Sequence, residues 1–139
     1  MASCNDGVRL FFDDIGQGRP LVLIHGWTFS RRFFDRNVCV LAKNARIITV
    51  DLRGHGRSDK PNHGYRIPRL AADLRDLLQE LDLCNVTLLG WSVGAPVIWN
   101  YLELFGRARV CDIVVVRNQT QPSPLQRAVG FGCRAAIDD

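Results

Sequence analysis

Four short apolar runs recur along the chain, each followed by a polar or glycine-rich break. They are LVLIH at 21–25, RIITV at 46–50, VTLLG at 86–90 and VCDIVVV at 110–116. Runs this short and this continuous predict strands buried on both faces. Between the second and third runs lies a strong helical repeat. Ile67, Leu70, Ala71, Leu74, Leu77, Leu78 and Leu81 recur at helical spacing over 68–82, with Asp73, Arg75, Asp76 and Gln79 assigned to the opposite, polar face. A second helix follows the third run, with Val97, Ile98, Tyr101, Leu102 and Phe105 on one side and Gly106 as its stop. Residues 31–43 predict a helix with mixed apolar and basic spacing, and 8–12 a short strand. Strands alternating with helices predict an α/β chain with a doubly wound, mostly parallel sheet. Right-handed crossovers then set the functional loops at the carboxyl ends of the strands, beginning at His25, Asp51, Trp91 and Arg117.

Composition narrows the function classes. The 139 residues suit one domain, and apolar residues at 47% against charged at 23% exclude wholesale disorder and fibrous repeats. The net charge of +4 centres on residues 31–60, where eight Lys/Arg face three Asp/Glu. These charges are interspersed with apolar residues and glycines, so no nucleic-acid partner is expected. No apolar run reaches the roughly 18 residues of a membrane span. The amino-terminal segment MASCNDGVRL has no basic-then-apolar pattern of a signal peptide. Cys4, Cys39, Cys84, Cys111 and Cys133 are odd in number and widely spaced, which predicts reduced thiols, a cytoplasmic protein and no metal site.

The chemistry concentrates at Gly90-Trp91-Ser92-Val93-Gly94, a G-x-S-x-G between a buried strand and a helix. A strand that turns at once into a helix strains the serine and projects its hydroxyl above the sheet, while the glycines allow close chain passage. The second feature is His25-Gly26-Trp27 at the end of the first parallel strand. Acyl transfer needs two N–H donors aimed at a developing oxyanion, and the Val93 and Trp27 amides are the candidates, with Gly26 turning the backbone inward. The bland alternatives are a tight turn holding a small polar residue and an ordinary strand-to-helix turn. Dinucleotide binding fails on its motif, because HGWTFS replaces G-x-G-x-x-G and Gly90–Gly94 lacks a third glycine. No P-loop is present, and no cofactor is expected.

LVLIHGW, RIITVDLRGHGRSDKP and VTLLGWSVGA together resemble the N-terminal half of the α/β-hydrolase superfamily over residues 7–116, within its esterase, epoxide-hydrolase and cofactor-free haloperoxidase branch. The resemblance implies a truncated α/β-hydrolase fold with Ser92 as nucleophile and Trp27 and Val93 as the oxyanion hole. Serine at the elbow sets the chain apart from branches that use aspartate there. Asp51, Arg53 and His55 match positions that are mainly structural in the family. The implied substrate is a small ester-like or apolar molecule.

The family order of Ser, then acid, then His has no counterpart after Ser92. His25, His55 and His63 all lie upstream, and Glu103, Asp112, Asp138 and Asp139 are the only later acids. Relatives often carry aspartate where Arg117-Asn118 stand, with only Asn118 and Gln119 as an echo. Residues 117–139 are polar and proline-rich, and predict an irregular tail. The expectation is a truncated or frame-shifted product with weak or no activity alone, whose apolar edge strand 110–116 invites self-association. The competing expectation is a non-catalytic module that binds a ligand or partner.

Overall fold

In the computed structural model, residues 1–116 are described. The expectations for the tail at 117–139, including Asn118, Gln119, Asp138 and Asp139, lie outside them.

Seven strands and three helices follow in the order β1 (Ala2–Ser3), β2 (Arg9–Leu10), β3 (Phe12–Ile15), β4 (Pro20–Ile24), α1 (Asp35–Leu41), β5 (Arg46–Val50), α2 (Ile67–Glu80), β6 (Val86–Trp91), α3 (Gly94–Phe105) and β7 (Val110–Val116). A 3-10 turn at Arg31–Phe34 leads into α1, so the helix expected over 31–43 divides into two short pieces. The small β1–β2 ribbon is antiparallel. The main sheet runs β3-β5-β4-β6-β7, with β3 antiparallel to β5 and every other pairing parallel. The single strand expected over 8–12 is instead split between the two sheets.

Both faces of the sheet are covered near its middle. On one, Val22, Ile24, Ile48, Val50, Val86 and Leu88 pack with Leu70, Leu74, Leu77, Leu78, Val97 and Ile98 of α2 and α3. On the other, Leu23 and Ile47 pack with Phe34 and Val38 of α1 and its leading turn. Period-two alternation sends neighbouring strand residues to opposite faces, so each run must be apolar throughout. The run at 110–116 departs from this. Only Val110 is buried, while Asp112, Val114 and Val116 are exposed. Among the described residues β7 pairs with β6 alone and carries no helix on that face, so its apolar run marks an edge here.

The strand order reverses at β4. The chain leaves β4 towards α1 and β5 on one side, and returns through α2 to β6 on the other. In open α/β sheets such a switch point opens a crevice at the carboxyl ends of the strands. The loops after β4 and β6 meet there, and they carry His25-Gly26-Trp27 and Ser92.

Candidate active site

Local sterics explain the elbow. Ser92 has φ 54°, in the left-handed region that a side chain disfavours. It is exposed, two residues before the first residue of α3. Its own N–H donates to the Val116 carbonyl at 3.1 Å, and its carbonyl accepts from Ala95 N–H at 3.1 Å. The flanking glycines are required by contact. A Cβ on Gly90 would lie 2.5 Å from the Gly94 carbonyl carbon, and one on Gly94 would lie 2.5 Å from the Ile24 oxygen. β6, α3 and β4 therefore approach closely enough to leave no room for a methyl group.

The loop after β4 touches the elbow. A Cβ on Gly26 would sit 2.6 Å from the Trp91 ring and 3.1 Å from Ser92 Cβ. Gly26 is thus fixed by close approach to the Trp91 ring, and less tightly to Ser92, since it is not among the positive-φ glycines; the expected need for an unusual backbone turn falls instead on Thr28, at φ 68°. The Phe29 N–H donates to the Gly26 carbonyl at 3.2 Å, closing a turn with Trp27 and Thr28 at its centre. A left-handed residue in the third position of such a turn ordinarily calls for glycine. Trp27 occupies the second position, whose N–H takes no part in turn closure. Among the described residues, neither the Trp27 nor the Val93 amide donates in a loop or turn hydrogen bond.

Beside Ser92, an aromatic cluster forms. Trp91 stacks on Phe33 with ring centroids 4.2 Å apart, and Phe29 meets Trp91 edge-on at 4.7 Å. Trp27, 48% exposed, packs its edge on His55. This wall is not evident in sequence, because Phe33 lies in the segment 31–43 of mixed spacing and Phe29 in the loop before it.

The histidines and acids fall into supporting places. His25 is fully buried, with Nδ1 2.7 Å from the Gly26 carbonyl and Nε2 accepting the Leu52 N–H at 3.0 Å. Burial holds its pKa below the ordinary value, with nearby His55 adding to the effect and the Gly26 carbonyl opposing it. Both ring nitrogens are engaged, so the ring offers no lone pair to Ser92. His55 sets Nδ1 against the Arg53 carbonyl, and His63 lies exposed in the loop before α2. Glu103 is exposed on α3, and Asp112 pairs with Arg19 near the start of β7, the end of the sheet away from Ser92.

The loop after β5 is knitted by buried polar groups. Asp51 accepts the Arg31 N–H at 2.7 Å and the Arg57 N–H at 2.9 Å. Ser58 Oγ donates to the Asp51 carbonyl and accepts from Phe11 N–H. Arg53, wholly buried, donates from Nε and Nη2 to both oxygens of Asp73, and from Nη2 to Asp6. Asp73 and Asp76, assigned by periodicity to the solvent face of α2, are buried. Arg53 and the amino-terminal segment cover that face, and Asn5 N–H donates to Asp76. The sequence held a faint signal for this: two aspartates three residues apart on α2 and an arginine in the preceding loop.

Cys4, Asp6 and Asp73 bring potential ligand atoms within 4.8 Å of one another. The donor set does not suit a metal ion. Arg53 already neutralises both carboxylates, and burial, reinforced by Asp73, pushes the Cys4 thiol far up and keeps it protonated.

The α/β hydrolase fold family matches residues 19–132. The chain belongs to that family. Among its relatives, the α/β-hydrolase chain is 38% identical over 117 residues to the non-heme chloroperoxidase CPO-A1 of Kitasatospora aureofaciens, covering 84% of this chain and 42% of that protein. An esterase from Exiguobacterium antarcticum superposes with a TM-score of 0.81 at 36% identity, over 83% of this chain and 43% of that one. A bromoperoxidase from Bacillus anthracis gives 0.80 at 38% identity, over 83% and 42%. The esterase and haloperoxidase branch expected from the motifs is therefore supported. The hydrolase chain spans about half the length of the curated relatives it matches. No described helix is long and apolar enough to cross a membrane.

Proposed function

We propose that residues 7–116 form the N-terminal half of an α/β-hydrolase domain whose Ser92 attacks the carbonyl carbon of a small ester or related acyl compound. The observation that carries this reading is Ser92 itself: left-handed, exposed two residues before α3, and pressed against the Gly26 loop. In the proposed reaction a bond forms between Ser92 Oγ and the acyl carbon. The carbonyl oxygen becomes an oxyanion and accepts hydrogen bonds from the Trp27 and Val93 amides. Collapse expels the alcohol, whose oxygen takes up the proton released by Ser92, and leaves an acyl-serine that water hydrolyses to the carboxylic acid and free Ser92. The Phe29, Phe33 and Trp91 wall favours an apolar acyl or alcohol group. The chemistry calls for no metal or redox cofactor.

The serine proton needs a base, and no described histidine or carboxylate hydrogen-bonds Ser92. A serine hydroxyl without its base is a poor nucleophile, and loss of triad function lowers turnover on the order of a millionfold. The described residues alone therefore support slow ester cleavage. Four free cysteines among them, Cys4, Cys39, Cys84 and Cys111, accord with a reducing, cytoplasmic setting. The side of β7 that has no partner strand among the described residues is where a second copy would add, which sedimentation across a concentration series tests.

Hydrolysis of p-nitrophenyl acetate tests the main proposal. Slow release above background, lost in Ser92→Ala, is expected. A rate equal in the two proteins contradicts it.

A further inference from the structure

The fold consumes only part of the basic surplus at 31–60. Arg53 is spent on Asp73, Arg46 on Asp14, and Lys60 on the Gly56 and Ser58 carbonyls. Arg31, Arg32 and Arg57 instead line one cavity of about 440 Å³, between the loop after β5 and the turn that leads into α1. We infer that this cavity is a binding site for a small organic carboxylate, held by the guanidinium groups of Arg31 and Arg57. The inference stands apart from the reading of Ser92 as nucleophile.

One buried carboxylate organises the cavity. Asp51 is wholly buried, and its oxygens accept the backbone N–H groups of Arg31 at 2.7 Å and Arg57 at 2.9 Å. It thereby draws together two arginines from different loops. Their side chains converge on Phe11. The guanidinium carbon of Arg31 lies 4.6 Å from the ring centroid and that of Arg57 4.0 Å, so the two cannot be farther apart than those distances combined. The ring attracts each cation, but the like charges repel, and an anion bound to both relieves that repulsion.

The donors around the cavity are not used up. The Arg31 side chain is only 12% exposed; its Nε lies 2.7 Å from an Asp13 oxygen, yet the N–H is not aimed there and finds no acceptor. The Arg57 side chain is exposed and has no carboxylate partner among the described residues. The half-buried Ser30 hydroxyl also lines the cavity and does not cap the turn that follows it.

Charge selects the ligand. Asp13, Asp35 and Asp51 line the same cavity, so its formal charges balance. Asp13 pairs with Arg31, and the exposed Asp35 sits 3.5 Å from Arg32. A dianion would meet three carboxylates with no excess of positive charge. A single negative charge on a planar group meets less opposition, and a carboxylate takes two parallel hydrogen bonds from a guanidinium fork. The volume leaves room for the organic part.

Titration with sodium acetate at constant ionic strength, followed in amide proton–nitrogen NMR spectra, tests this. Saturating shifts are expected at Ser30, Arg31, Gly56 and Arg57, and none with sodium chloride. Arg57→Gln is expected to weaken acetate binding roughly tenfold, the loss of one charge-assisted contact. Arg57→Lys keeps the charge without the fork and is expected to weaken it less. Arg36→Gln, an exposed change on α1 outside the cavity, is expected to leave it unaltered. Shifts that never saturate, or that chloride reproduces, would overturn the inference by showing ionic screening only. Full affinity in Arg57→Gln would overturn it too, and tighter binding of inorganic phosphate than of acetate would overturn the carboxylate assignment. The same spectra report whether each variant is folded; were Arg57→Gln unfolded, wild-type affinity in Arg57→Lys would count against the guanidinium clamp.

Discussion

The loop after β5 and the elbow after β6 leave the same end of the sheet, two strands apart, and resolve the same problem in opposite ways. Both must end a buried strand among polar groups. In the β5 loop, Asp51, Arg53 and Ser58 are buried and bound to partners; Arg53 Nη1 alone lacks one among the described residues, where it abuts Gly64. In the elbow and the facing β4 loop, Ser92 and Thr28 are held at positive φ, Ser92 and Trp27 are exposed, and the Trp27 and Val93 amides are left without loop partners. Satisfied groups make a scaffold. In the proposed reading, the free donors beside a strained hydroxyl are the site, because there an incoming oxyanion would gain hydrogen bonds that the fold has not already consumed.

The largest effect is expected on the scaffold side. Asp73→Ala strips the buried Arg53 of its main counter-ion and should lower stability by about 3–5 kcal/mol, read from the urea midpoint. A loss below about 1 kcal/mol would mean that the ion pair does not hold the loop. Next comes Gly94→Ala, which forces a methyl group against the Ile24 carbonyl and separates α3 from β4. Overpacking of this kind costs about 1–3 kcal/mol, and a thermal melt unchanged from wild type would deny the close approach.

Acid sharpens the contrast further. His25 is held neutral by burial, below its ordinary 6.5. As pH falls below about 6.5 the unfolded chain takes up a proton before the folded one does, so stability declines by at most about 1.4 kcal/mol per pH unit from this group. Asp6 acts in a lower window. Burial raises its pKa, but hydrogen bonds from Arg53 outweigh that and lower it from 3.8; its contribution is lost only as pH falls below that value. A stability profile flat from pH 7 to 5 would contradict the buried neutral ring. The smallest effect has the opposite sign. Ser92→Gly removes the side chain from a left-handed position and should raise stability by about 1 kcal/mol, less the entropy glycine brings to the unfolded chain. Destabilisation would show that Ser92 is not strained.

The elements that the sequence made legible are those whose signal is local. The apolar runs at 21–25, 46–50 and 86–90 became β4, β5 and β6 within a residue, and Gly106 ends α3 at φ 72°. The elbow was legible because its five residues are contiguous and Gly90 is demanded by Gly94 within the same turn, although Gly94 answers to Ile24 on β4. What stayed hidden depends on distant partners. Asp73 reads as a solvent-facing residue until Arg53, 20 positions earlier, folds over it. The exposure of β7 depends on which strands flank it, which its own apolar run does not encode. Phe29 and Phe33 gain meaning only when Trp91 arrives from another strand.

If Ser92 is the nucleophile, a fluorophosphonate will add to it once, which intact-mass analysis reads while circular dichroism confirms the fold. A single slow addition that maps to Ser92 and vanishes in Ser92→Ala is the predicted result. A folded chain that stays unlabelled under forcing concentrations of probe, or one that labels equally after Ser92→Ala, would contradict it.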